Sequence, residues 1–266
     1  MTLQYHFRKD IVEGYTPLVS PEEEGLEYLE VGILKLPAGA SYSTTAEDSE
    51  TALVILSGRA TVEAGGERWG GLGGREDVFQ GPGDSVYVPL DASYTVTAET
   101  DLEVGVCKAL TDFRGEPRLV RSDEGDTAWR GRRNFERHIR NVMLDNVQAG
   151  RLLVGETINP PGNWSSFPPH KHDEVIPGVE TKLEEVYLYK ITPQQGFGIQ
   201  RLYTAEGDMD EAFVLQNNDA VIFPRGYHPV VAAPGYKLYY LWALAGEERR
   251  MQPHDDPQHE WVSNAW

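Results

Sequence analysis

The sequence GDSVYVP at residues 83–89 returns as NDAVIFP at residues 218–224. Each copy is a turn, a short apolar strand and a proline, and most of the strand residues are β-branched or aromatic types that favour extended structure. After the proline the copies diverge, since the first reaches Tyr94 where the second has His228. The repeat predicts two β-sandwich or barrel units in tandem, of which only the second has a histidine at this place.

Short apolar runs separated by turn residues extend the same pattern over the chain. The runs are rich in Val, Ile, Tyr and Thr, and the breaks contain Gly, Pro, Asp and Ser, which is typical of antiparallel strands. We therefore predict an all-β fold. The runs span 26–36, 51–56, 85–88, 94–97, 102–109, 152–157, 185–191, 197–204, 211–215, 220–223, 230–233 and 237–244.

A polar segment at residues 112–133 separates the two halves. It is charged and lacks an apolar period, so it is the best candidate for a connection between units. We place the boundary near Asp126, which gives an N-terminal unit of residues 1–125 and a C-terminal unit of residues 126–266.

The charge balance limits the classes of partner. The 266 residues include 24 Lys and Arg against 42 Asp and Glu, a formal net charge of -18. Such a field repels nucleic acid and anionic membranes, so we expect neither as a partner. A small anionic substrate would need a local basic pocket, and a homo-oligomer is compatible with the composition.

The single cysteine and the N-terminal sequence predict a cytoplasmic protein. Cys107 has no intramolecular disulfide partner, as is usual in a reducing compartment. Residues 1–10 lack the apolar core and cleavage site of a signal peptide, and no stretch approaches the ~20 apolar residues of a membrane helix.

The sharpest local motif is His170-x-His172, preceded by two prolines. Residues i and i+2 of an extended strand point the same way, so they can present two imidazoles to one metal ion. Prolines favour an extended backbone just before them. The alternative is two unrelated surface histidines.

Glu185 is the preferred third ligand because it begins an apolar strand. Strand alternation places Tyr187 and Tyr189 on its face, which gives a cavity with one anion and two hydroxyls. The alternative is a solvated strand edge. The competing carboxylates are Glu174, Glu180 and Glu184.

His228 is the candidate fourth ligand, since it follows a strand and a proline turn in the same half as the His-x-His pair. A lone histidine is more often a hydrogen-bonding residue than a ligand. Three imidazoles and one carboxylate suit Zn, Fe, Mn, Ni or Co. We expect structural or solvent hydrogen bonds for the remaining histidines, which are His6, His138, His254 and His259.

Basic residues after the boundary are candidates for binding a substrate carboxylate. Arg137 and Arg140 lie three residues apart and would share a face of a helix, and guanidinium groups bind carboxylates well. Surface salt bridges are the alternative. Lys182 and Arg225 are further candidates, whereas Lys171 should point away from its histidine neighbours on a strand.

The His-x-His pair, a later Glu and a later His in a β-rich chain resemble the metal site of cupins. Three longer strings resemble the 5-deoxy-glucuronate isomerase family of inositol catabolism. They are PPGNWSSFPPHKHD at 160–173, GFGIQRLY at 196–203 and PRGYHPVVAAPGYKLYY at 224–240. We also expect Gln200 and Tyr239, which lie in the last two strings, to bind substrate.

The resemblance implies a bicupin with a metal-free N-terminal cupin and an isomerase that converts 5-deoxy-D-glucuronate to 5-dehydro-2-deoxy-D-gluconate. The resemblance extends to the 4-deoxy-5-hexosulose-uronate ketol-isomerases of pectin breakdown. Carried over by motif, one divalent ion, with zinc as the expected metal, would be bound by four ligands, which are His170, His172, Glu185 and His228.

Two features depart from the family pattern. The interval from His172 to Glu185 is much longer than in a typical cupin, so an inserted loop must close back onto the site. Trp242 stands where the family has an asparagine, which would change the pocket wall if this side chain faces inward.

The resemblance implies that an aldehyde and its neighbouring hydroxyl chelate the metal, which lowers the barrier to enolisation. The candidates for the base are Glu185, Tyr187, Glu156 and a metal-bound hydroxide, and a hydride shift is the alternative route. Rival functions are the related uronate ketol-isomerase, a cupin dioxygenase with the same ligands, and a sugar-binding bicupin whose histidines are structural.

Overall fold

The computed structural model describes residues 4–21 and 25–265. Residues 1 and 266, the outer limits of the two predicted units, lie outside that range. The described residues form 23 β-strands, two short 3-10 turns at Val78–Gln80 and Arg133–Phe135, and one helix at Val262–Ala265. This confirms the all-β prediction. None of the described helices has the length and apolar character needed to cross a membrane.

The first unit is a sandwich of two antiparallel sheets. The larger sheet has the order β11-β8-β5-β10-β3-β2, and the smaller has the order β4-β9-β6-β7. After β1 (His6–Phe7), its strands are β2 (Gly14–Val19), β3 (Leu29–Leu36), β4 (Ser41–Thr45), β5 (Ser49–Ser57), β6 (Arg59–Ala64), β7 (Glu67–Gly73), β8 (Ser85–Val88), β9 (Ser93–Ala98), β10 (Leu102–Leu110) and β11 (Arg118–Val120).

The interior of the first unit is filled by apolar side chains. Alternate residues of β5, such as Leu53 and Ile55, are buried against Val62 and Val96 of the smaller sheet. Tyr94 belongs to the same apolar core. Among the described residues, both groups of side chains suited to a metal ion lie in the second half of the chain.

The second unit repeats this plan around a seven-stranded sheet of order β1-β20-β17-β22-β14-β13-β12. A four-stranded sheet, β15-β21-β18-β19, and a small pair, β16-β23, complete it. Its strands are β12 (Asp126–Arg130), β13 (Arg137–Met143), β14 (Leu153–Asn159), β15 (Trp164–Ser165), β16 (His170–Lys171), β17 (Glu184–Thr192), β18 (Gly198–Tyr203), β19 (Asp210–Leu215), β20 (Ala220–Phe223), β21 (Val230–Ala232), β22 (Lys237–Ala245) and β23 (His254–Asp255).

Strand pairing follows the predicted boundary except at the N-terminal end. Strands β2 to β11 pair only with one another, and β12 begins at Asp126. However, β1 joins the edge of the second unit, where His6 lies opposite Val221. The division at Asp126 stays a prediction, and β1 lies across it.

The two large sheets pack face to face and share one core. Contributions from the first unit include Val31, Val54 and Cys107, and Leu241 lies among those from the second. A Cβ atom at Gly105 would overlap the side chain of Leu241, so the absence of a side chain allows the sheets to approach closely. One face of the seven-stranded sheet is therefore covered by the first unit, and the other face is available for a site.

Candidate metal and substrate site

A cavity of about 660 Å³ opens on the face of the seven-stranded sheet that points away from the first unit. Its floor is made by alternate residues of the central strands, including Glu185, Tyr187 and Trp242. Its rim comes from β12, β16 and the C-terminal segment around Asp255. The cavity therefore collects side chains from both ends of the second half of the chain.

Three buried side chains converge at the cavity. Glu185 Oε2 lies 3.0 Å from His172 Nε2 and 3.1 Å from His228 Nε2. One nitrogen or oxygen atom of each residue lies within 4.8 Å of the others. We call these residues the His/Glu cluster.

The Nδ1 atoms of His172 and His228 both contact backbone carbonyl oxygens. His172 Nδ1 lies 2.8 Å from the Leu183 carbonyl oxygen, and His228 Nδ1 lies 3.1 Å from that of Gly226. A carbonyl accepts only an N–H, so each Nδ1 carries a proton, and in the neutral form of such a ring Nε2 presents a lone pair. The buried His228 Nε2 has no hydrogen-bond partner among the described residues. Two lone pairs and a carboxylate oxygen thus face one another, an arrangement that fits a bound cation.

The charges within the cluster are strongly coupled. Burial alone would raise the pKa of Glu185, but the neighbouring imidazoles of His172 and His228 lower it to about 2. Burial likewise opposes charge on His172, yet Glu185 raises the pKa of this histidine. Both shifts show that the carboxylate stabilises positive charge beside it, which a divalent ion would supply.

His170 lies beside the cluster but outside the group of converging atoms. Its ring centroid is 4.9 Å from that of His228 and 6.3 Å from that of His172. Burial, and then the neighbouring imidazoles, lower its pKa well below the ordinary value, so it is neutral. Lys171 points the other way, as strand alternation predicts, and donates to Asp173, Glu174 and Glu180.

The long segment between His172 and Glu185 closes back onto the site. Glu180 accepts hydrogen bonds from Lys171 and from the backbone N–H groups of Asp173 and Glu174, which folds the segment. Leu183 then bonds to His172 through both its N–H and its carbonyl. Glu184, a competing ligand candidate, lies on the other face of β17 and binds backbone N–H groups of the first unit.

Tyr187 lies two residues beyond Glu185 on the cavity face. Its hydroxyl is 3.0 Å from Ser166 Oγ, and its ring stacks on Tyr240 at a centroid distance of 4.3 Å. Burial raises the pKa of Tyr187 well above its ordinary value, so the phenol keeps its proton at neutral pH. It is therefore suited to donating a hydrogen bond. Tyr189 lies deeper and bonds to Gln200.

The structure corrects the prediction that Glu156 is a catalytic base. Glu156 lies on the opposite face of β14 from the cavity residue Thr157. It is buried between the two large sheets, 2.6 Å from Arg75 and 2.9 Å from Arg140. The Tyr239 hydroxyl donates to it at 2.9 Å. Glu156 is thus part of the packing between the units.

Arg140 and Tyr239, which were predicted to bind substrate, also lie outside the cavity. Residues 137–143 form a strand rather than a helix, so side chains three positions apart point to opposite faces. Arg137 lines the cavity, whereas Arg140 is buried on the other face and also donates to the Gly83 carbonyl. Tyr239 shares that buried network.

Three further substrate-binding predictions fail because the side chains lie outside the cavity. Lys182 is exposed beside a different cavity, near Gly25 and Glu248. Arg225 is exposed and pairs with Asp208 at 2.7 Å. Gln200 is fully buried and donates to the His228 carbonyl at 2.7 Å, so it positions the His228 segment rather than substrate.

The sequence did not indicate that Arg130 lies beside Arg137 in the cavity. Arg130 lies directly opposite Arg137 in the β12-β13 pair, and both line the cavity. Among the described residues no carboxylate lies within 4 Å of either guanidinium. Arg137 Nη1 donates to the carbonyl oxygens of Phe135 and Phe167, and the buried Arg137 Nε has no hydrogen-bond partner among these residues. Burial lowers the pKa of Arg137. The pairing register of β12 and β13 brings the two arginines together, and this register cannot be read from the sequence.

Comparison with known proteins identifies a family. The sequence model of the KduI/IolB family matches residues 6–262. The chain is 43% identical over 251 residues to a 5-deoxy-glucuronate isomerase from Geobacillus kaustophilus, covering 94% of this chain and 91% of that protein.

Solved structures agree. An IolB-like protein from Salmonella typhimurium is 36% identical, with a TM-score of 0.94 over 97% of this chain and 99% of the other. A variant of Bacillus subtilis oxalate decarboxylase, only 12% identical, matches 96% of this chain and 80% of its own with a TM-score of 0.66. That distant likeness shows the fold alone, which is a bicupin.

Proposed function

The chain belongs to the KduI/IolB family, and we propose that it is a metal-dependent aldose-ketose isomerase converting 5-deoxy-D-glucuronate to 5-dehydro-2-deoxy-D-gluconate in inositol catabolism. The names of its relatives support the substrate. The observation that carries the proposal is that His172 and Glu185 of the His/Glu cluster line the same cavity as two arginines that form no ion pair with the described residues.

The metal would be held by His172, Glu185 and His228, with His170 as the fourth ligand, and zinc is the proposed ion. The support is the convergence of three acceptor atoms in a buried place, with both imidazoles oriented by backbone carbonyls. When bound, the ion supplies Lewis acidity that polarises a substrate carbonyl and stabilises negative charge on its oxygen.

The substrate carboxylate would be bound by Arg137 and Arg130. Like charges directly opposite each other on neighbouring strands destabilise a sheet unless an anion lies between them. Guanidinium forks bind carboxylates in two-point geometry, which would fix one end of the substrate. This local positive site also answers how a protein with a net charge of -18 attracts an acidic sugar.

Tyr187 would donate a hydrogen bond to a substrate oxygen as negative charge develops there. Its phenol keeps its proton, and Ser166 orients it. Glu185 is a poor base, because a carboxylate whose pKa is about 2 binds protons weakly. The proposed roles thus account for both ends of the substrate but leave the proton transfer to another group.

The test is turnover of 5-deoxy-glucuronate by metal-reconstituted protein, followed by NMR for loss of the aldehyde and appearance of the ketone. We expect product with zinc, none after chelation, and no oxygen uptake, which separates an isomerase from a dioxygenase. Absence of product with every common divalent ion would overturn the proposal. Preferred turnover of 4-deoxy-5-hexosulose-uronate would instead indicate the pectin-type isomerase.

Variants test the residues independently of turnover. His172→Ala should lose bound metal by elemental analysis, whereas His138→Ala should keep it, because His138 faces away from the cavity and packs on Trp129. Arg137→Ala should raise KM at least tenfold with metal content unchanged. Full metal in His172→Ala would contradict the proposed ligand set.

A further inference from the structure

A carboxylate near the C-terminal end of the chain reaches the cavity through the short strand β23. This strand pairs with β16, and Asp255 lies directly opposite His170. Opposed residues of an antiparallel pair point to the same face. His170 faces the cavity, and Asp255 accordingly lines it as well.

The neighbours of Asp255 fix this strand from its other face. His254 Nδ1 lies 3.4 Å from Glu180 Oε2, and Asp256 accepts a hydrogen bond from the Tyr203 hydroxyl at 2.7 Å. The Asp256 N–H also donates to the Pro169 carbonyl at 2.7 Å. Side chains alternate along a strand, so these contacts hold Asp255 on the cavity side.

Asp255 itself makes no ion pair and no side-chain hydrogen bond with the described residues. Of the described side chains that line the cavity, only Asp255 and Glu185 are carboxylic acids. Glu185 is occupied by two histidines. A free carboxylate that faces a site for an anionic substrate opposes binding by charge repulsion. A role in the reaction therefore explains its position better than a role in binding the substrate.

The surroundings of Asp255 suit a base. Partial burial, and then the charge of Glu260, raise its pKa above the ordinary value for an aspartate. A carboxylate with a raised pKa is a stronger proton acceptor. His254, and then Arg137 on the same cavity, act in the opposite direction and limit the rise.

We propose that Asp255 is the catalytic base that moves the proton between C2 and C1 of the sugar acid; this rests on the proposed isomerase function. The Asp255 carboxylate takes the proton from C2, and the C2–H electron pair forms the C1–C2 double bond while the C1 carbonyl electrons move to oxygen, giving an enediolate. The hydroxyl on C2 then loses its proton to the C1 oxygen, directly or through water. As the C2 carbonyl forms, C1 takes the proton back from Asp255.

The test compares Asp255→Asn and Asp255→Ala with the wild-type enzyme loaded with zinc. Both variants should lower kcat at least 100-fold, with metal content unchanged and KM within threefold. Sodium formate, a small carboxylate that can enter the vacated space, should restore at least tenfold activity to Asp255→Ala, whereas sodium chloride at equal ionic strength should not. Glu248→Gln, which removes an exposed carboxylate outside this cavity, should leave kcat unchanged.

Failure of this inference differs from failure of the proposed function. An inactive wild-type enzyme overturns the isomerase proposal itself. With an active wild type, the role of Asp255 is overturned by variants within threefold of wild-type kcat, by loss of metal from Asp255→Asn, or by an effect on KM alone.

Discussion

Glu50 and Glu184 occupy equivalent places near the start of β5 and β17, and each accepts three backbone hydrogen bonds from the opposite unit. Glu50 binds the N–H groups of residues 150–152, each at 2.7 Å. Glu184 binds those of residues 27–29 at 2.6 to 2.8 Å. The internal repeat therefore includes a reciprocal pair of contacts between the units.

This relationship also aligns the interiors of the two units. The residue after each glutamate faces inward, and it is Thr51 in the first unit and Glu185 in the second. Tyr94 and His228 differ in the same way after the repeated turn. Two positions of the His/Glu cluster thus have no equivalent ligand in the first unit, whose interior is apolar.

Glu50→Gln and Glu184→Gln should each destabilise the protein. A glutamine side chain has one acceptor oxygen and an NH₂ group that cannot accept, so backbone N–H groups are left without partners. We expect a loss of about 2–3 kcal/mol in the free energy of unfolding, measured by urea denaturation. The exposed Glu47→Gln variant should stay within about 0.5 kcal/mol of wild type. Equal stabilities for all three variants would contradict the assigned role.

Glu156→Gln should destabilise the fold more strongly than it affects chemistry. Arg75 and Arg140 would remain buried with their shared negative partner removed. Breaking a buried ion pair in this way costs about 3–5 kcal/mol. Breaking the exposed Arg201 pair by Asp210→Asn should change the stability far less, because solvent screens this pair. Calorimetry and urea denaturation measure both. A Glu156→Gln variant with normal stability and no activity would support the prediction that Glu156 is the catalytic base.

The strand pattern and the grouping of His172, Glu185 and His228 could be predicted from the sequence, whereas the role of these residues and His170 as metal ligands stays a prediction. Alternation along one strand relates Glu185 to Tyr187, and the motif at His170 and His172 needs only three residues. The internal repeat supplied His228. These signals are local or repeated, so no knowledge of strand register was needed.

The substrate end of the cavity could not be predicted because it depends on pairing between strands. Arg130 lies seven residues before Arg137, and only the hairpin register brings them together. Asp255 lies 85 residues after its partner His170. The prediction for Arg140 was wrong because residues i and i+3 share a face of a helix but point to opposite faces of a strand.

Asp219→Asn should destabilise the protein in a pH-dependent way. Burial opposes the charge of Asp219, but hydrogen bonds from Arg8 and His6 lower its pKa below the ordinary 3.8. A carboxyl group with a lowered folded-state pKa contributes stability above its unfolded pKa and loses it as pH falls through the folded value. The difference from wild type should thus be about 2 kcal/mol at pH 7 and shrink below pH 3.8.

Urea denaturation between pH 7 and pH 3 measures this difference. The exposed Asp48→Asn variant serves as the control and should show a small difference at every pH. A destabilisation of Asp219→Asn that is constant over the range would show that the charge of Asp219 is not what holds β1 to the second unit.

Gly155→Ala should disturb the cavity wall through Trp242. These residues lie opposite each other on β14 and β22, and a Cβ atom at Gly155 would overlap the indole ring. Trp242 faces the cavity, and its Nε1 donates to Thr157 Oγ1 at 3.1 Å. Displacing the ring should cost about 1–3 kcal/mol and raise KM, because the wall of the substrate cavity moves with it.

A double-mutant cycle with Trp242→Leu separates this contact from a general effect of the added methyl group. The smaller side chain leaves room for the alanine, so the double variant should be more stable than the sum of the single changes by at least about 1 kcal/mol. Urea denaturation gives the four free energies. Gly83→Ala, placed in the first unit where the added methyl would meet the Ile55 carbonyl oxygen and Arg75 rather than Trp242, should show no coupling to Trp242→Leu. Additivity of Gly155→Ala and Trp242→Leu within about 0.5 kcal/mol would mean that the glycine does not make room for the tryptophan.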